Sequence, residues 1–424
     1  MSGRHYLRLI AFGALIGIPA AFVAALFLAA VHGLQQWLWH DLAGGGSPAW
    51  YWVLGLPIVG ALIVLGARRL LPGDGGHDPL RGLDPSPTPI RDLPGVVLAA
   101  LGTLGFGAVL GPEGPIIAIG SVVGEAVTSW AKVRDKDRKI VSNAGQFSAV
   151  SALFGGPVVA GMLLLETGLA MGRALLPALL PGLVSAAVGY VIFIGLGSWG
   201  GLKTAGLTVP DLPDYRGTHI YDLLIAIVVG VAAALVIFVA KRMAGRVVAL
   251  RERFGMVALL LAGALAVGVI AEVGDLLGAN SQDILFSGQS SIGVLVGGAS
   301  FKILVILLVA KLLGYAVSLG CGFRGGPIFP AIFLGIALAS FAVCWFHTSP
   351  TLAVAIGAAA GMAAEARLLF SPLILMLVLV GAPGRDATPA AVLASAAAWL
   401  TVRVLSGDAE AEPAPAPADD GPVR

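Results

Sequence analysis

One carboxylate stands alone in a long apolar stretch of the chain. Glu113 is the only charged residue between Asp92 and Glu125, and it lies between Pro112 and Pro115. An ionisable group in such a stretch is costly, so it indicates a function, and the prolines predict a helix beginning at about residue 112. The free N–H groups of a helix start attract a carboxylate or a small anion. Glu113 would compete with the anion for this site and would leave the site once protonated, so that one side chain acts as both gate and proton acceptor. The alternative is that the Glu113 carboxylate only stabilises the start of the helix.

A second stretch rich in glycine and proline, at 322–330, predicts another helix start. The N–H groups of Ile328 and Phe329 would be free to face an anion. Both stretches contain Gly-Pro-Ile, at 114–116 and 326–328. Paired interruptions of apolar segments in two halves of a chain indicate a binding site near the middle of the membrane. The alternative is an ordinary tight turn before a membrane span.

The elements that hold these motifs must be membrane helices. The chain has 424 residues, of which 58% are hydrophobic and only 12% charged, too few charges to cover a soluble protein of this size. Lipid leaves the polar groups of open strands unsatisfied, so we predict an all-α, polytopic membrane protein. The apolar stretches long enough to cross about 30 Å of hydrocarbon are 9–31, 175–197, 220–240, 255–276 and 300–319.

The order of these segments predicts two halves related by an inverted repeat. We assign residues 1–197 to the first half, 198–218 to a connecting loop and 219–405 to the second half. Residues 406–424 are acidic and rich in proline and alanine, which is typical of a disordered tail. Segments that are short or broken by glycine and proline predict tilted or half-spanning helices buried in protein; they are 115–128, 147–165 and 327–347.

Charge and motif content narrow the class of protein. Three groups of basic residues are predicted to mark cytoplasmic loops by the positive-inside tendency; they are Arg68 with Arg69, 132–139 and 241–253. None of the three contains the interleaved aromatic residues that would indicate nucleic-acid binding. No His-Glu-x-x-His or Gly-x-Ser-x-Gly motif occurs, so we predict that the protein is not an enzyme. Two cysteines cannot form a thiolate metal cage, and we predict neither metal nor cofactor.

The motifs together resemble those of the CLC chloride channels and chloride/proton antiporters, over roughly residues 10–405. Residues 111–115 (Gly-Pro-Glu-Gly-Pro) are similar to the family's Gly-x-Glu-Gly-Pro gating motif, and 326–330 (Gly-Pro-Ile-Phe-Pro) to its Gly-x-Phe-x-Pro anion-site motif. Residues 285–289 and 152–166 resemble two further family segments. The resemblance implies a homodimer embedded in the lipid of a cell membrane, with one pore in each subunit. It also implies that the substrate is chloride or a similar small anion and that protons are a possible co-substrate.

The resemblance also assigns the anion-binding groups and shows where this chain departs from the family. It implies that Gly114, Ile328 and Phe329 bind the anion. The family's Gly-Ser-Gly-x-Pro is replaced by a serine-free stretch here, where Gly75 and Gly76 would supply N–H groups instead. No tyrosine follows residue 315, so the last pore helix and its anion-binding tyrosine are expected to be missing.

The proton path is the least complete part of the resemblance. Glu166 aligns with the family's helix-end glutamate, and Thr167 with the position where proton-coupled members often carry a relay glutamate. A threonine does not titrate, so a passive, glutamate-gated channel is slightly favoured, with Glu166 and Thr167 kept as a possible proton path. The alternatives are a proton-coupled antiporter and a transport-inactive scaffold. Chloride is favoured over fluoride because fluoride-selective relatives replace the proline that is retained here as Pro115.

Overall fold

The computed structural model describes residues 3–168, 175–198 and 207–407. Within these ranges the regular structure is helical, and the only strand-like pairing is one isolated β-bridge. The α-helices in chain order are α1 (Gly3–Gln35), α2 (Trp50–Leu70), α3 (Leu93–Leu104), α4 (Glu113–Trp130), α5 (Asp135–Val141), α6 (Ala144–Phe154), α7 (Pro157–Thr167), α8 (Leu175–Ser198), α9 (Ile220–Leu276), α10 (Ser281–Ile284), α11 (Ile292–Val296), α12 (Phe301–Gly320), α13 (Ile328–Phe346), α14 (Pro350–Ala366), α15 (Phe370–Val380) and α16 (Thr388–Ser406). The predicted all-α, polytopic architecture is confirmed.

Seven of the described helices are long and apolar enough to cross a membrane. They are Gly3–Leu42, Trp50–Leu70, Leu175–Ser198, Ile220–Leu276, Phe301–Gly320, Ile328–Phe346 and Ala382–Ser406. Four shorter apolar helices, α6, α7, α14 and α15, have 11 to 17 residues, or about 16 to 25 Å at 1.5 Å per residue. Each is too short to cross about 30 Å of hydrocarbon alone. Of the segments predicted as tilted or half-spanning, 147–165 is divided between the short helices α6 and α7, whereas 327–347 forms α13, which is long and apolar enough to cross a membrane.

The longest helical element corrects one part of an expectation. Residues 220–240 and 255–276 were predicted as separate spans with a basic loop between them; α9 does consist of two helical segments, but they are divided only by a kink at Gly255, without a loop. Gly255 has φ 76° and ψ 161°, a conformation that glycine adopts without steric cost. The segments before and after the kink have 35 and 21 residues (220–254 and 256–276), and each is long enough for about 30 Å of hydrocarbon. The basic cluster at 241–253 is therefore helical.

The other two basic groups are also more ordered than predicted. Arg68 and Arg69 form the last turn of α2, and Arg68 is buried. Residues 132–139 run into α5, where Asp137 Oδ1 lies 2.8 Å from His5 Nε2 at the start of α1. This basic end of α1 is about 50 Å from its other end, since α1 has 33 residues. We call the end of the molecule that carries these segments the basic end.

The order of elements in the first half recurs in the second. Helices α3 and α4 are separated by a break at 105–112, and α12 and α13 by a break at 321–327. The short pair α6 and α7 follows the first break, as α14 and α15 follow the second. The described part of the connecting loop packs on the second half, where the Val209 N–H donates to the Leu379 carbonyl (2.9 Å). The predicted disordered tail lies almost entirely outside the described residues.

Candidate functional site

The two breaks meet in the interior of the protein. The N–H of Gly111 donates to the carbonyl of Gly326 (2.7 Å), and the N–H of Gly326 donates to the carbonyl of Gly111 (2.6 Å). This is the isolated antiparallel bridge. It ties the residues just before α4 to the residues just before α13. Two helix starts that are distant in sequence therefore face one point.

Glu113 occupies that point. Its side chain is fully buried, and its Oε1 accepts a hydrogen bond of 2.7 Å from the N–H of Phe329 in the first turn of α13. The amide groups of Ile328 and of Glu113 itself also act on the carboxylate. Oε2 has no hydrogen-bond partner among the described residues. The positive end of α13 thus holds the carboxylate where the sequence predicts an anion.

Two glycines make room for the carboxylate. A Cβ atom added to Gly111 or to Gly326 would stand 2.6 Å from Glu113 Cδ, and would overlap Oε2. Real Cβ atoms essentially never approach other heavy atoms so closely. The carboxylate therefore lies in a slot, which we define by the backbones of Gly111 and Gly326 and the N–H of Phe329. Gly114 packs behind the slot, because a Cβ added there would meet the carbonyl oxygen of Gly325 at 3.0 Å.

An open funnel leads toward the slot from the end opposite to the basic segments. Its volume is about 490 Å³, and its lining includes Trp39, Leu110, Pro112, Phe286 and Gln289. Leu110 and Pro112 flank the slot residue Gly111 in sequence, so the funnel ends beside the slot. We call this funnel the vestibule.

A buried lysine holds one wall of this vestibule. Lys311 is fully buried and donates to three consecutive carbonyl groups, those of Ile284 (2.9 Å), Leu285 (2.9 Å) and Phe286 (3.3 Å). Its ammonium also lies 4.5 Å from the centroid of the Phe333 ring, a cation–π contact. Lys311 thus fixes residues 284–286, which overlap the start of the family-like segment 285–289, and it is not free to bind an anion.

At the basic end, one aspartate joins two buried arginines. Asp74 accepts hydrogen bonds from Arg68 Nε (2.8 Å) and Nη2 (2.7 Å), and from Arg324 Nη2 (2.5 Å). The Asp74 side chain is 54% exposed, whereas those of Arg68 and Arg324 are 1% and 8% exposed. Partial burial alone would raise the pKa of Asp74, but the two arginines outweigh it and the pKa lies below its usual value. The cluster carries a net charge of +1, and Arg324 itself lies in the second break, at 321–327.

Gly75 and Gly76 lie in the turn that holds this cluster. A Cβ added to Gly75 would meet Arg68 Cγ at 3.1 Å and Arg324 Cγ at 3.3 Å, so both arginine stems pack against it. The N–H of Gly76 donates to the carbonyl of Gly73 (2.9 Å) inside the turn. That N–H is therefore engaged in this structure. The positive charge near this turn comes from the guanidinium groups of Arg68 and Arg324. From the sequence, Arg68 was interpreted only as the mark of a cytoplasmic loop, and Arg324 was given no role.

The residues considered for a proton path have other partners. Glu166 Oε1 accepts from the N–H groups of Leu369 and Phe370 (both 2.9 Å), and Oε2 accepts from the N–H (2.7 Å) and the hydroxyl of Ser371. Glu166 thus caps the start of α15. The Thr167 hydroxyl donates to the carbonyl of Leu163 (2.7 Å) within its own helix.

Sequence reasoning missed two polar groups near Glu113. Tyr315 is fully buried, and its hydroxyl donates to the carbonyl of Pro327 (3.2 Å), the residue before α13. Glu365, in the last turn of α14, is also buried and pairs with Lys241, whose Nζ lies 2.7 Å from Glu365 Oε1. The rule that singled out Glu113, a charge in an apolar segment of a membrane protein, applies equally to Glu365 and could have found it.

Broken helices that meet at a buried central carboxylate give this polytopic membrane protein its architecture. A family model described as voltage gated chloride channel matches residues 75–403, which is about three quarters of the chain. The protein therefore belongs to the voltage gated chloride channel (CLC) family, a family of anion-transport proteins. This confirms the resemblance found in the motifs and the prediction of a multi-pass membrane protein.

Curated relatives and solved structures agree with this assignment. The chain is 28% identical over 343 residues to the ion-transport protein YfeO of Escherichia coli O139:H28 (strain E24377A / ETEC), covering 76% of each protein. It is 29% identical over 345 residues to YfeO of Salmonella paratyphi A (strain ATCC 9150 / SARB42), covering 76% of this chain and 77% of that one.

Two solved structures share the fold. One is described as a slow cyanobacterial Cl⁻/H⁺ antiporter, with a TM-score of 0.78 and 17% identity over 94% of this chain and 95% of that one. The other is described as a CLC-type fluoride/proton antiporter, with a TM-score of 0.72 and 20% identity over 94% and 96%. At these identities the likeness concerns the fold alone.

Proposed function

We propose that the protein carries chloride or a similar small anion across the membrane, and that Glu113 gates the pathway in exchange for protons. One observation supports this most directly. The Glu113 carboxylate fills the slot at the start of α13 and accepts the Phe329 N–H at 2.7 Å, so it stands where an anion would bind. An anion enters the slot only when the carboxylate leaves it.

Protonation supplies the reason for the carboxylate to leave. A charged carboxylate is held by the N–H groups and by the positive helix end. A neutral carboxylic acid keeps less of this attraction, so a chloride ion competes with it for the slot. Deprotonation returns the carboxylate and expels the anion. Gate movement and proton binding are then one event, and Ile328, Phe329 and Gly114 form the anion-binding part of the pathway.

The solved structures with the same fold are described as antiporters, which supports the coupled form of the proposal over the passive form. A passive channel, slightly favoured on sequence, remains the second candidate. Its supporting observations are that the N–H of Gly76 is engaged and that no tyrosine follows residue 315. A filter with fewer donors binds its anion more weakly and releases it faster.

The test uses purified full-length protein in liposomes loaded with chloride. Chloride efflux and proton uptake are recorded together for the wild type and for Glu113→Gln, which imitates the neutral gate. We expect the wild type to take up protons in a fixed ratio to chloride, and the variant to pass chloride without protons. Efflux without proton movement in the wild type would favour the channel. No flux of chloride, nitrate or fluoride would refute anion transport and favour the inactive scaffold.

Two further parts of the proposal follow from the family resemblance. The first is a homodimer in which each subunit has its own pathway; light scattering in detergent would give the mass of two chains. The second is location in the cell membrane with the basic segments inside. A cysteine placed in the funnel, at Gln289→Cys, should react with an impermeant thiol reagent from the outside of intact cells.

A further inference from the structure

The Asp74 cluster at the basic end buries its two positive charges and exposes its one negative charge. The side chains of Arg68 and Arg324 are 1% and 8% exposed, whereas that of Asp74 is 54% exposed. A buried charge is costly unless it is paired and hydrogen-bonded, and two like charges held close together also repel each other. The Asp74 carboxylate is therefore the accessible partner of a buried arginine pair, which we define as Arg68 and Arg324.

Each guanidinium group of the arginine pair has an anchor other than the Asp74 carboxylate. Arg68 Nη1 donates to the carbonyl of Gly322 (2.8 Å). Arg324 Nε donates to the main-chain carbonyl of Asp74 (3.0 Å). Both arginine stems also pack against Gly75, as the short distances to an added Cβ show. The two guanidinium groups are therefore held in place even when the carboxylate of Asp74 moves away.

The donors of the arginine pair describe the ligand that would fit between them. Three nitrogens donate to the Asp74 carboxylate, namely Arg68 Nε, Arg68 Nη2 and Arg324 Nη2. A fourth, Arg324 Nη1, has no hydrogen-bond acceptor among the described residues. Without the carboxylate, the pair thus offers four donor nitrogens and two positive charges. A carboxylate has two oxygens and one charge, whereas sulfate and divalent phosphate have four oxygens and two charges.

Other acids near the turn have partners of their own. Asp78 follows the turn in sequence, and its Oδ1 accepts the N–H of Leu80 (3.1 Å). Asp92 packs beside Gly73, and its Oδ1 lies 3.5 Å from Arg91 Nε. Neither carboxylate forms a hydrogen bond or an ion pair with the arginine pair among the described residues. No direct contact in this part of the structure therefore neutralises the charge of +1 that remains on the cluster.

We propose that the arginine pair is a binding site for a small divalent oxyanion of the sulfate or phosphate class, and that Asp74 is its displaceable internal occupant. Guanidinium groups bind carboxylates and phosphates through the same pairs of parallel hydrogen bonds. The Asp74 side chain swings into solvent, where more than half of it already lies. The oxyanion takes its place, reaches Arg324 Nη1 as well, and neutralises both charges. Its binding does not require transport, so the inference goes beyond the proposed function.

The position of the site connects it to the rest of the molecule. Arg68 is in the last turn of α2, and Arg324 lies in the second break, two residues before the slot residue Gly326. A bound oxyanion therefore bridges α2 and the main chain that leads into the slot. The rival explanation is a permanent ion bridge, in which Asp74 only ties these two segments together. A permanent bridge predicts that the wild type binds no oxyanion here.

The test measures sulfate binding to the purified full-length protein by isothermal titration calorimetry in detergent and low-salt buffer. The wild type is compared with Asp74→Gly, which vacates the site. Glycine suits this position because Asp74 has φ 48°, in a region that glycine adopts without steric cost. Asp84→Ala is the matched control, because Asp84 is an aspartate of the same segment, 42% exposed, whose partner is His77 (3.3 Å) and not an arginine.

We expect the wild type to bind sulfate saturably and Asp74→Gly to bind it with a Kd about tenfold or more lower. The reason is that sulfate no longer has to displace a hydrogen-bonded carboxylate, and one hydrogen bond to a charged group corresponds to about tenfold or more in affinity. Asp84→Ala should keep the wild-type Kd. Adding Arg324→Met to Asp74→Gly removes two of the four donor nitrogens and should weaken sulfate binding about tenfold or more.

Two further titrations identify the ligand. In Asp74→Gly, chloride at equal ionic strength should bind more weakly than sulfate, because one atom cannot accept from all four donor nitrogens; equal or tighter binding of chloride would contradict the oxyanion class. Inorganic phosphate should bind as sulfate does. Repeating the sulfate titration of the wild type in nanodiscs with and without phosphatidic acid distinguishes the source. Competition by this lipid would assign the site to a lipid phosphate, and unchanged sulfate binding would assign it to a free oxyanion.

Three results would overturn the site. They are an equal sulfate Kd in the wild type and Asp74→Gly, saturable binding in Asp74→Gly alone, which would make Asp74 a permanent counter-ion, and the same gain in Asp84→Ala. If Asp74→Gly does not elute as a single species, Asp74→Asn takes its place, since asparagine tolerates a positive φ and carries no charge; an unchanged Kd in that variant would refute displacement. Sulfate binding without any anion flux in liposomes is a different result, since it refutes only the proposed function.

Discussion

The slot between Gly111 and Gly326 makes a quantitative prediction about anion binding. In Glu113→Ala the slot is vacant, so chloride should bind there without competition. Adding Gly326→Ala to this background places a methyl group 2.6 Å from the former position of Glu113 Cδ. The anion can then no longer approach the Phe329 N–H closely. A hydrogen bond to a charged group is worth about 1.5 to 3 kcal/mol, and 1.4 kcal/mol is about tenfold in affinity.

We therefore expect chloride to bind about 10- to 150-fold more weakly to Glu113→Ala/Gly326→Ala than to Glu113→Ala, as measured by isothermal titration calorimetry in detergent. Gly325→Ala in the same background is the control. Its added Cβ would meet Leu110 Cβ at 2.8 Å and the Gly111 carbonyl at 3.0 Å, so it crowds the same loop from the side away from the carboxylate. Equal chloride affinity in Glu113→Ala and Glu113→Ala/Gly326→Ala would show that anion and gate do not share the slot.

Two predictions concern stability. Glu166→Gln keeps the shape of the side chain but removes the charge that caps α15, so we expect it to lower the free energy of unfolding by about 1 kcal/mol, as measured by thermal unfolding. The proton-to-chloride ratio in liposomes should stay at the wild-type value. A loss of proton coupling in this variant would show that Glu166 belongs to the proton path. Asp74→Asn leaves Arg68 and Arg324 without their shared carboxylate and should destabilise the protein at neutral pH. Because the pKa of Asp74 is lowered in the folded protein, its stabilisation is present above the ordinary value of 3.8 and is lost as the pH falls through the folded pKa. The difference between wild type and Asp74→Asn should therefore shrink in acid, and a difference that is constant with pH would contradict the role given to this cluster.

The sequence predicts those features that depend on local composition. A single carboxylate flanked by prolines is visible as Glu113, and the helix starts follow from the same prolines. The apolar lengths predict spans in α1, α8, α9 and α12, but they do not single out α2 or α13 as spans. The family motifs add the partner of Glu113, since they point to the segment 326–330 that supplies the Phe329 N–H.

Features that join distant parts of the chain are not predictable in this way. The pairing of Gly111 with Gly326 creates the slot. In the sequence, neither glycine can be distinguished from the many other glycines that only allow helices to pack closely. From its position in the sequence, Glu166 resembles a proton acceptor. Only the packing of α15 against it shows that its carboxylate accepts hydrogen bonds from the start of that helix. Lys241 and Glu365 belong to different helices, and only their packing brings the ion pair next to the gate.

Basic clusters give a further example. A run of lysine and arginine predicts contact with the inner surface, but it does not distinguish a loop from an extended helix. In α9 the helix continues through 241–253 because these residues are good helix formers and the bend is left to Gly255. At Arg68 the side chain is buried because Asp74 and the Gly322 carbonyl (2.8 Å) accept its hydrogen bonds.

Glu113 is attached to the helix that begins at its own binding slot, and this makes it a tethered ligand. An intramolecular competitor acts at an effective concentration set by its tether, of millimolar order for a short flexible one, and that concentration cannot be diluted. The apparent chloride affinity of the wild type should therefore be weaker than that of Glu113→Ala by a constant factor at a given pH. The ratio of the two affinities would measure how strongly the Glu113 carboxylate competes with chloride for the slot. Acid protonates this carboxylate and should therefore reduce the ratio toward one.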